Sequence, residues 1–380
     1  MEEQLLDLWH QVLIREISLN NIERCDSMGY NEELFDLIRD MDSVDYNDLV
    51  PIILCYTTDR KIGKYCLQKK HKINHRVQVK NLPKQDLKYD GIDYDKLLSR
   101  KFCGAIMEFI EVILSKFSDA DLTIFYNNIN EVKTSSSKGY SFRYTDGYYD
   151  IERNDMIFEE DNYLISIYHE LFHMASSVEA DNIYYSGFSQ SSYTHIFGDG
   201  LNEGYTQLLT ERYFGDIEDV CGAYEYEVFI AGKLEKIIGK SKMYKLYLGA
   251  NLHELIEELQ EYASYEEIIN FISCLDYTNR YVDFNKVSRL LKTNMFIQKV
   301  KEINSFLVKV YLIKLKKDVA DGILSNDDMI IEFGEYINSL LNDFSSKRFN
   351  YYNVSIDGII RDLDNILDLV SDSERGMYKG

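Results

Sequence analysis

The sequence predicts an α+β protein that is predominantly helical. Three observations lead to this fold class. The 380 residues include only two prolines, Pro51 and Pro83, so few positions interrupt a helix. Apolar residues recur at spacings of three and four along most of the chain, which is the period of an amphipathic helix. Residues 122–158 instead carry short runs of β-branched and aromatic residues, which favour strands.

The helical pattern covers most of the chain, and the strand-like pattern is confined to its middle. Helices are predicted at residues 2–18, 31–42, 93–117, 224–239, 251–261, 283–320, 325–345 and 354–372. Strands are predicted at Leu122–Tyr126, Tyr140–Tyr144, Tyr148–Ile151 and Met156–Phe158, with Asp146-Gly147 as a hairpin turn. The chain length fits two or three units. We place an N-terminal helical region at 1–118, a central region at 119–262 and a C-terminal helical region at 263–380.

One further helix, predicted near residues 162–178, carries the pentapeptide His169-Glu170-Leu-Phe-His173. Asp161 or Asn162 can cap its start. Histidines four residues apart lie on the same helical face, so both imidazoles can reach one metal ion. Glu170 is rotated by about 100° from His169 and so points beside that metal, towards a bound water. The pentapeptide therefore predicts a zinc site of the hydrolytic kind.

Other interpretations of the pentapeptide are weaker. The two histidines could be buried core residues, but they lie off the apolar stripe formed by Leu164, Ile167, Leu171, Met174 and Val178. A four-helix di-iron site needs a second Glu-x-x-His pair, and none of the other five histidines supplies one. A metzincin would have Gly at position 176 and His at 179, where this chain has Ser176 and Glu179.

A catalytic zinc usually takes three protein ligands, so one more is required. The best candidate is Glu203, in a second predicted helix within Gly198–Phe214 that Gly215 ends. The apolar face of this helix would let it pack beside the first one and direct Glu203 at the metal. Competing candidates are His195, which lies in a polar predicted loop, Asp199 and Glu179.

The chain resembles the gluzincin branch of zinc metallopeptidases in two motifs, His169-Glu170-x-x-His173 and Leu201-Asn-Glu203-Gly-Tyr-Thr206. The sequence of the second motif is similar to that of gluzincin aminopeptidases. The resemblance covers about residues 120 to 260. It implies His169, His173 and Glu203 as zinc ligands and Glu170 as general base. It also implies a zincin-like core at 119–262, in which a small sheet with an antiparallel edge accompanies two metal-binding helices.

The chain departs from the gluzincin pattern at two places. Gln207 stands one turn after Glu203, where some gluzincins carry an acidic partner for a ligand histidine. The Gly-x-Met-Glu-Asn segment of the aminopeptidases has no match upstream, so exopeptidase activity does not follow.

The expected function is a zinc-dependent peptidase acting on peptides or flexible protein segments. Hydrolysis of a peptide bond also needs a donor to the oxyanion, and Tyr224 and Tyr226 are nominated because they follow the second metal helix closely. Two alternatives stay open. The chain could be a catalytically inactive, peptidase-like interaction protein, or a zinc hydrolase that acts on a non-peptide amide or ester.

Charge and composition bear on partners and location. The formal net charge of −22 disfavours binding to nucleic acid or to an anionic membrane. One segment, Arg60–Lys80, is basic without any acidic residue, and we interpret it as a solvated loop or a dock for acidic helices. Six cysteines lack metal or redox spacing. No signal peptide or membrane-length apolar run is visible, so we expect a cytoplasmic protein.

Overall fold

The computed structural model describes residues 79–83, 91–136, 147–158, 163–192, 195–215, 224–283 and 289–345. The described residues divide into two compact units, one within Val77–Glu258 and one that begins at Leu259. The predicted helices at 2–18, 31–42 and 354–372, the predicted strand Tyr140–Tyr144 and most of the basic segment Arg60–Lys80 lie outside the described residues.

Helices predominate among the described residues, and two small sheets accompany them, which confirms an α+β, mainly helical fold. The helices are α1 Tyr94–Leu98, α2 Cys103–Lys116, α3 Thr123–Ile129, α4 Tyr163–Ala175, α5 Asp199–Phe214, α6 Glu225–Ile238, α7 Lys240–Leu248, α8 Leu252–Leu259, α9 Tyr265–Asp283, α10 Arg289–Ala320 and α11 Asn326–Ser345. The strands are β1 Lys133–Ser136, β2 Gly147–Asp150, β3 Asp155–Phe158, β4 Ser177–Ala180, β5 Ile183–Ser186, β6 Ser189–Ser192 and β7 His195–Phe197.

The first sheet has the strand order β1-β3-β2. Its central strand β3 is parallel to β1 and antiparallel to β2, and all four of its residues are buried. Predicted strands at Tyr148–Ile151 and Met156–Phe158 are therefore confirmed. The predicted strand Leu122–Tyr126 is wrong, because that run enters helix α3, whose first N–H, that of Thr123, donates to the Asp121 carboxylate at 2.9 Å. A short apolar run fits either structure, and here the helical form buries Phe125 and Ile129.

The second sheet is a four-stranded antiparallel meander, β4-β5-β6-β7, inserted between α4 and α5. This sheet was not predicted from the sequence. Val178, predicted on the stripe of the first metal helix, lies in β4, because that helix ends at Ala175. His195, predicted in a loop, begins β7 and pairs with Ser192.

Asn128 of α3 explains why α4 ends where it does. Its side-chain amide donates to the backbone carbonyl of Met174 at 2.8 Å and to that of Ser177 at 2.7 Å. Carbonyls at the end of a helix lack partners within the helix, so this buried amide satisfies that of Met174 and links it to Ser177, the first residue of β4.

Aromatic side chains hold α4 between α2 and α5. The ring of Phe172 in α4 meets that of Phe109 in α2 edge-on, with a centroid distance of 4.9 Å. One turn earlier, Tyr168 stacks on Phe214 of α5 at 4.0 Å. Buried aromatic contacts of this kind fix the helix that carries the pentapeptide. Helix α2, which the sequence analysis assigned to the N-terminal region, thus packs within the unit Val77–Glu258.

The second unit, in its described part, consists of three helices that follow one another along the chain. Rings stack between α9 and α10, where Phe271 and Phe306 have centroids 4.4 Å apart, and between α10 and α11, where Tyr311 and Tyr336 are 4.1 Å apart. Helices α10 and α11 were predicted, whereas α9 was not. Among the described residues, no helix combines the length and the apolar character that crossing a membrane requires.

Candidate metal centre

Helix α4 brings the two histidines of the pentapeptide together. Their Nε2 atoms lie 2.9 Å apart, and the rings meet at an angle of 69°. Both residues are buried, with 6% of His169 and 9% of His173 exposed. Because they occupy the middle of a helix held by aromatic packing, the helix fixes the spacing of their backbones.

Helix α5 supplies the third side chain, Glu203. Its Oε2 atom lies 3.0 Å from Nε2 of His169 and 3.5 Å from Nε2 of His173. The carboxylate is 18% exposed, so this corner of the site faces solvent more than the histidines do. Helix α5 begins after Gly198, which adopts a left-handed conformation at φ +87°. A side chain there would meet the Phe188 carbonyl, so the tight approach of the second sheet to α5 requires glycine.

The donor set fits a divalent metal ion such as zinc. Ligand atoms 2.0–2.1 Å from a tetrahedral ion lie about 3.3 Å apart. The distances between the three candidate donor atoms here are 2.9, 3.0 and 3.5 Å. In the part of the chain that the structure describes, this is the one group of three or more His, Cys, Asp and Glu side chains close enough to share an ion. Two imidazoles and one carboxylate form a common catalytic zinc set.

Hydrogen bonding supplies a second argument for a cation. Nδ1 of His169 lies 3.0 Å from the amide oxygen of Gln207, which can only accept, so Nδ1 carries the proton. In the neutral ring, the lone pair on Nε2 then faces the Glu203 carboxylate at 3.0 Å. A lone pair and an anion at this separation repel unless a positive charge lies between them, which a metal ion or a proton provides.

Both histidines are oriented by amide side chains from α5. Gln207 contacts His169, and its own Nε2 group donates to the Glu211 carboxylate at 3.3 Å. Asn202 contacts His173 more loosely, with its Nδ2 atom 3.4 Å from Nδ1, while its oxygen accepts from the Phe188 N–H at 3.1 Å. From the sequence, Gln207 was noted as a departure from the gluzincin pattern, whereas no role was predicted for Asn202.

Glu170 lies beside the triad, where the pentapeptide predicts it. It is 5% exposed and accepts a hydrogen bond from the backbone of Tyr149 in β2. Burial raises the pKa of Glu170 to about 7, with a smaller raising effect from Glu203 and a lowering effect from His169. A carboxyl group with a pKa near neutrality can both accept and return a proton.

The pKa of Glu203 moves in the opposite direction. Burial alone would raise it, but the charges and hydrogen bonds of His173 and His169 outweigh that effect and hold the pKa of Glu203 well below its ordinary value. Glu203 and Glu170 are therefore carboxyl groups with contrasting environments beside the same histidines. Carboxyl groups whose pKa values are pushed apart in this way are typical of sites that do acid and base chemistry.

The two nominated tyrosines occupy different positions. Tyr224, at the start of α6, has a left-handed backbone with φ +60° and places its ring nearly parallel to that of His169, with centroids 5.7 Å apart. Tyr226 is 1% exposed and lies in the core. A left-handed conformation is strained for a bulky residue, and such strain concentrates at functional sites. Tyr224 is thus the nominee that lies against a metal-site residue.

Two of the competing third-ligand candidates stand apart from this group. Glu179 is exposed on β4, and Asp199 lies in the first turn of α5, neither of them in the triad. The side chain of His195 lies outside the described residues.

Comparison of the chain with protein-family models, with curated proteins and with solved structures gives no match. The resemblance to gluzincins therefore rests on the two motifs alone.

Proposed function

We propose that this protein is a zinc-dependent peptidase whose metal ligands are His169, His173 and Glu203 and whose general base is Glu170. The observation that carries the proposal is the convergence of the three donor atoms, with edges of 2.9 to 3.5 Å, next to a buried carboxyl group of raised pKa. We also propose that α4, α5 and the first sheet form a zincin-like core, with the second sheet as an insertion between the two ligand helices.

The chain's own residues have distinct roles in this proposal. When bound, zinc would lower the pKa of a water molecule towards about 7 and polarise the scissile carbonyl. Glu170 accepts a proton from the attacking water and returns it to the leaving amine. Its pKa of about 7 suits both transfers. Tyr224, adjacent to His169, is the proposed donor to the oxyanion.

Strand β2 supports a peptide as the substrate class. It is an edge strand in the described part of the first sheet, and its Tyr149 backbone donates to Glu170. An edge strand beside a catalytic carboxyl can pair with the backbone of an extended peptide. Such pairing recognises the substrate through main-chain hydrogen bonds and accepts many side chains. As substrates we therefore favour peptides or flexible protein segments over a single small amide or ester.

The test combines metal analysis with an unbiased peptide-cleavage screen on the full chain. The unmodified protein, called the parent below, is expected to contain close to one zinc ion per chain and to cleave extended peptides. Glu170→Gln should keep the zinc and lose cleavage, because the amide preserves shape but accepts no proton. Glu254→Gln, the same change at an exposed position on α8, serves as the matched control and should cleave like the parent.

Two results would overturn the proposal. Cleavage by Glu170→Gln at the parent rate would remove Glu170 from the reaction. A zinc-loaded parent that cleaves no peptide in a broad library would favour the inactive interaction protein or the non-peptide hydrolase instead.

A further inference from the structure

Gln207 is an ambiguous partner for a metal-ligating histidine. Its amide can present either an oxygen or an NH₂ group to Nδ1 of His169, and the two orientations have nearly the same shape. With the oxygen towards Nδ1, the ring carries its proton on Nδ1, and Nε2 is free to bind a metal. With the NH₂ group towards Nδ1, the proton moves to Nε2 and blocks it.

Glu211 removes this ambiguity. It lies one turn beyond Gln207 on α5, and its carboxylate accepts from Nε2 of Gln207 at 3.3 Å. A carboxylate only accepts, so it pairs with the NH₂ group and would repel the amide oxygen. The amide oxygen is thereby directed to the other side, where it lies 3.0 Å from Nδ1 of His169.

We propose that Glu211 is a positioning residue for the metal site: it orients the Gln207 amide and so selects the His169 tautomer whose Nε2 faces the metal. The inference rests on the metal site of the proposed function and adds a residue that neither motif contains. In some gluzincins an acidic residue contacts the ligand histidine directly. Here the carboxylate of Glu211 lies one helical turn further along α5 and acts on His169 through the neutral amide of Gln207.

The arrangement differs in its consequences from a direct carboxylate partner. An amide oxygen is a weaker acceptor than a carboxylate, so His169 is a less basic ligand, while the orientation that Glu211 gives the amide still selects its tautomer. Glu211 is only partly buried, which leaves it hydrated and keeps the cost of its charge small.

The experiment measures zinc affinity by competition with a chromophoric chelator in four variants of the full chain. Loss of a residue that hydrogen-bonds to a metal ligand typically weakens metal affinity about 10- to 100-fold. We expect a loss of roughly 3- to 10-fold for Glu211→Ala, because Glu211 contacts Gln207 and not His169 itself. Gln207→Glu provides a direct carboxylate and should equal or exceed the parent. In the Gln207→Glu background, Glu211→Ala should cause no further loss. Glu254→Ala, which removes an exposed carboxylate from α8, is the control.

A second readout is independent of metal. In the metal-free protein, the ¹⁵N resonances of the His169 ring distinguish a proton on Nδ1 from one on Nε2, and His169→Gln identifies those resonances among the seven histidines. Glu211→Ala should shift His169 towards the Nε2-protonated form, and Gln207→Glu should restore the Nδ1 form.

The outcomes separate this inference from the proposed function. Unchanged zinc affinity and an unchanged ring spectrum in Glu211→Ala would overturn the positioning role, whatever the hydrolytic activity. An equal loss in the parent and Gln207→Glu backgrounds would also overturn it, because the effect would then be general rather than transmitted through the amide. Absence of peptide cleavage with these shifts intact would count against the proposed function alone.

Discussion

Gly204 packs directly against the backbone of Glu227. A β-carbon at position 204 would lie 2.4 Å from the Glu227 carbonyl oxygen and 2.5 Å from its carbonyl carbon. Helices α5 and α6 therefore cross at a distance that only glycine permits. Because Gly204 follows Glu203 and Tyr224 directly precedes α6, this crossing sets the position of two site residues at once.

Gly204→Ala is expected to destabilise the protein by about 1–3 kcal/mol, since the added methyl group meets backbone rather than a flexible side chain. Separation of the helices should also displace Glu203 and weaken zinc binding. Urea denaturation and chelator competition measure the two effects. Gly232→Ala is the matched control, because a β-carbon there meets only the Leu208 Cδ2 atom at 4.0 Å. It should stabilise α6 by roughly 0.5–1 kcal/mol. Equal stability of the two variants would contradict the close crossing.

Glu203→Gln keeps the shape of the third ligand and removes its charge. We expect zinc affinity to fall by more than the roughly 10- to 100-fold typical for loss of an outer partner, because a direct ligand is lost. The metal-free fold should persist, since Glu203 is partly exposed. The rise in melting temperature on adding zinc should disappear with the affinity. A variant that melts like the zinc-loaded parent at the same zinc concentration would exclude Glu203 as a ligand.

The grouping of the three candidate ligands was largely predictable because they lie in two short helical motifs. Helical periodicity alone predicts that His169 and His173 lie on one face of α4. The second motif places Glu203 on the next ligand helix, α5. The distances among the three donors depend on how α4 and α5 pack. That packing is set by contacts distant in sequence, such as Phe109 with Phe172, which no local pattern reveals.

The second sheet was missed although one of its turns has a sequence signal. Asp181 and Asn182 both adopt positive φ, at +54° and +60°, which is the geometry of a two-residue hairpin turn. Asp and Asn tolerate this conformation better than most residues, so Asp-Asn between Val178 and Tyr184 was a usable sign. Strand β6, Ser189-Gln-Ser-Ser192, is entirely polar, so hydrophobic alternation could not identify it.

Asn202→Asp is expected to strengthen zinc binding by roughly 10-fold. A histidine that binds metal through Nε2 carries a proton on Nδ1, and Nδ1 of His173 faces the Nδ2 donor of Asn202 at 3.4 Å. A carboxylate at this position could accept from His173 and still accept from the Phe188 N–H. Chelator competition measures the change, and Asn202→Leu, which has no acceptor, should weaken binding instead. An Asp variant that binds zinc no better than the Leu variant would show that His173 needs no partner there.

Glu170 should make the stability of the metal-free protein depend on pH. Its pKa is about 7 in the folded chain against an ordinary value of 4.5, mainly because the carboxyl is buried. Between these values the unfolded chain has released the proton that the folded chain still holds, so the free energy of unfolding falls as pH rises from about 4.5 to 7. Above pH 7 the folded protein carries a buried charge, and the full cost of up to about 3 kcal/mol applies.

Glu170→Gln removes that charge, so it should stabilise the metal-free protein by up to about 3 kcal/mol at pH 8 and have little effect at pH 4.5. The measurement is urea denaturation in the presence of a chelator from pH 4.5 to 8, compared variant against parent so that the contributions of other ionisable groups cancel. Glu254→Gln, at an exposed position, should run parallel to the parent throughout. A Glu170→Gln profile that is also parallel would mean that the carboxyl titrates as it does in water, and a base of ordinary pKa would have to replace the near-neutral one in the proposed reaction.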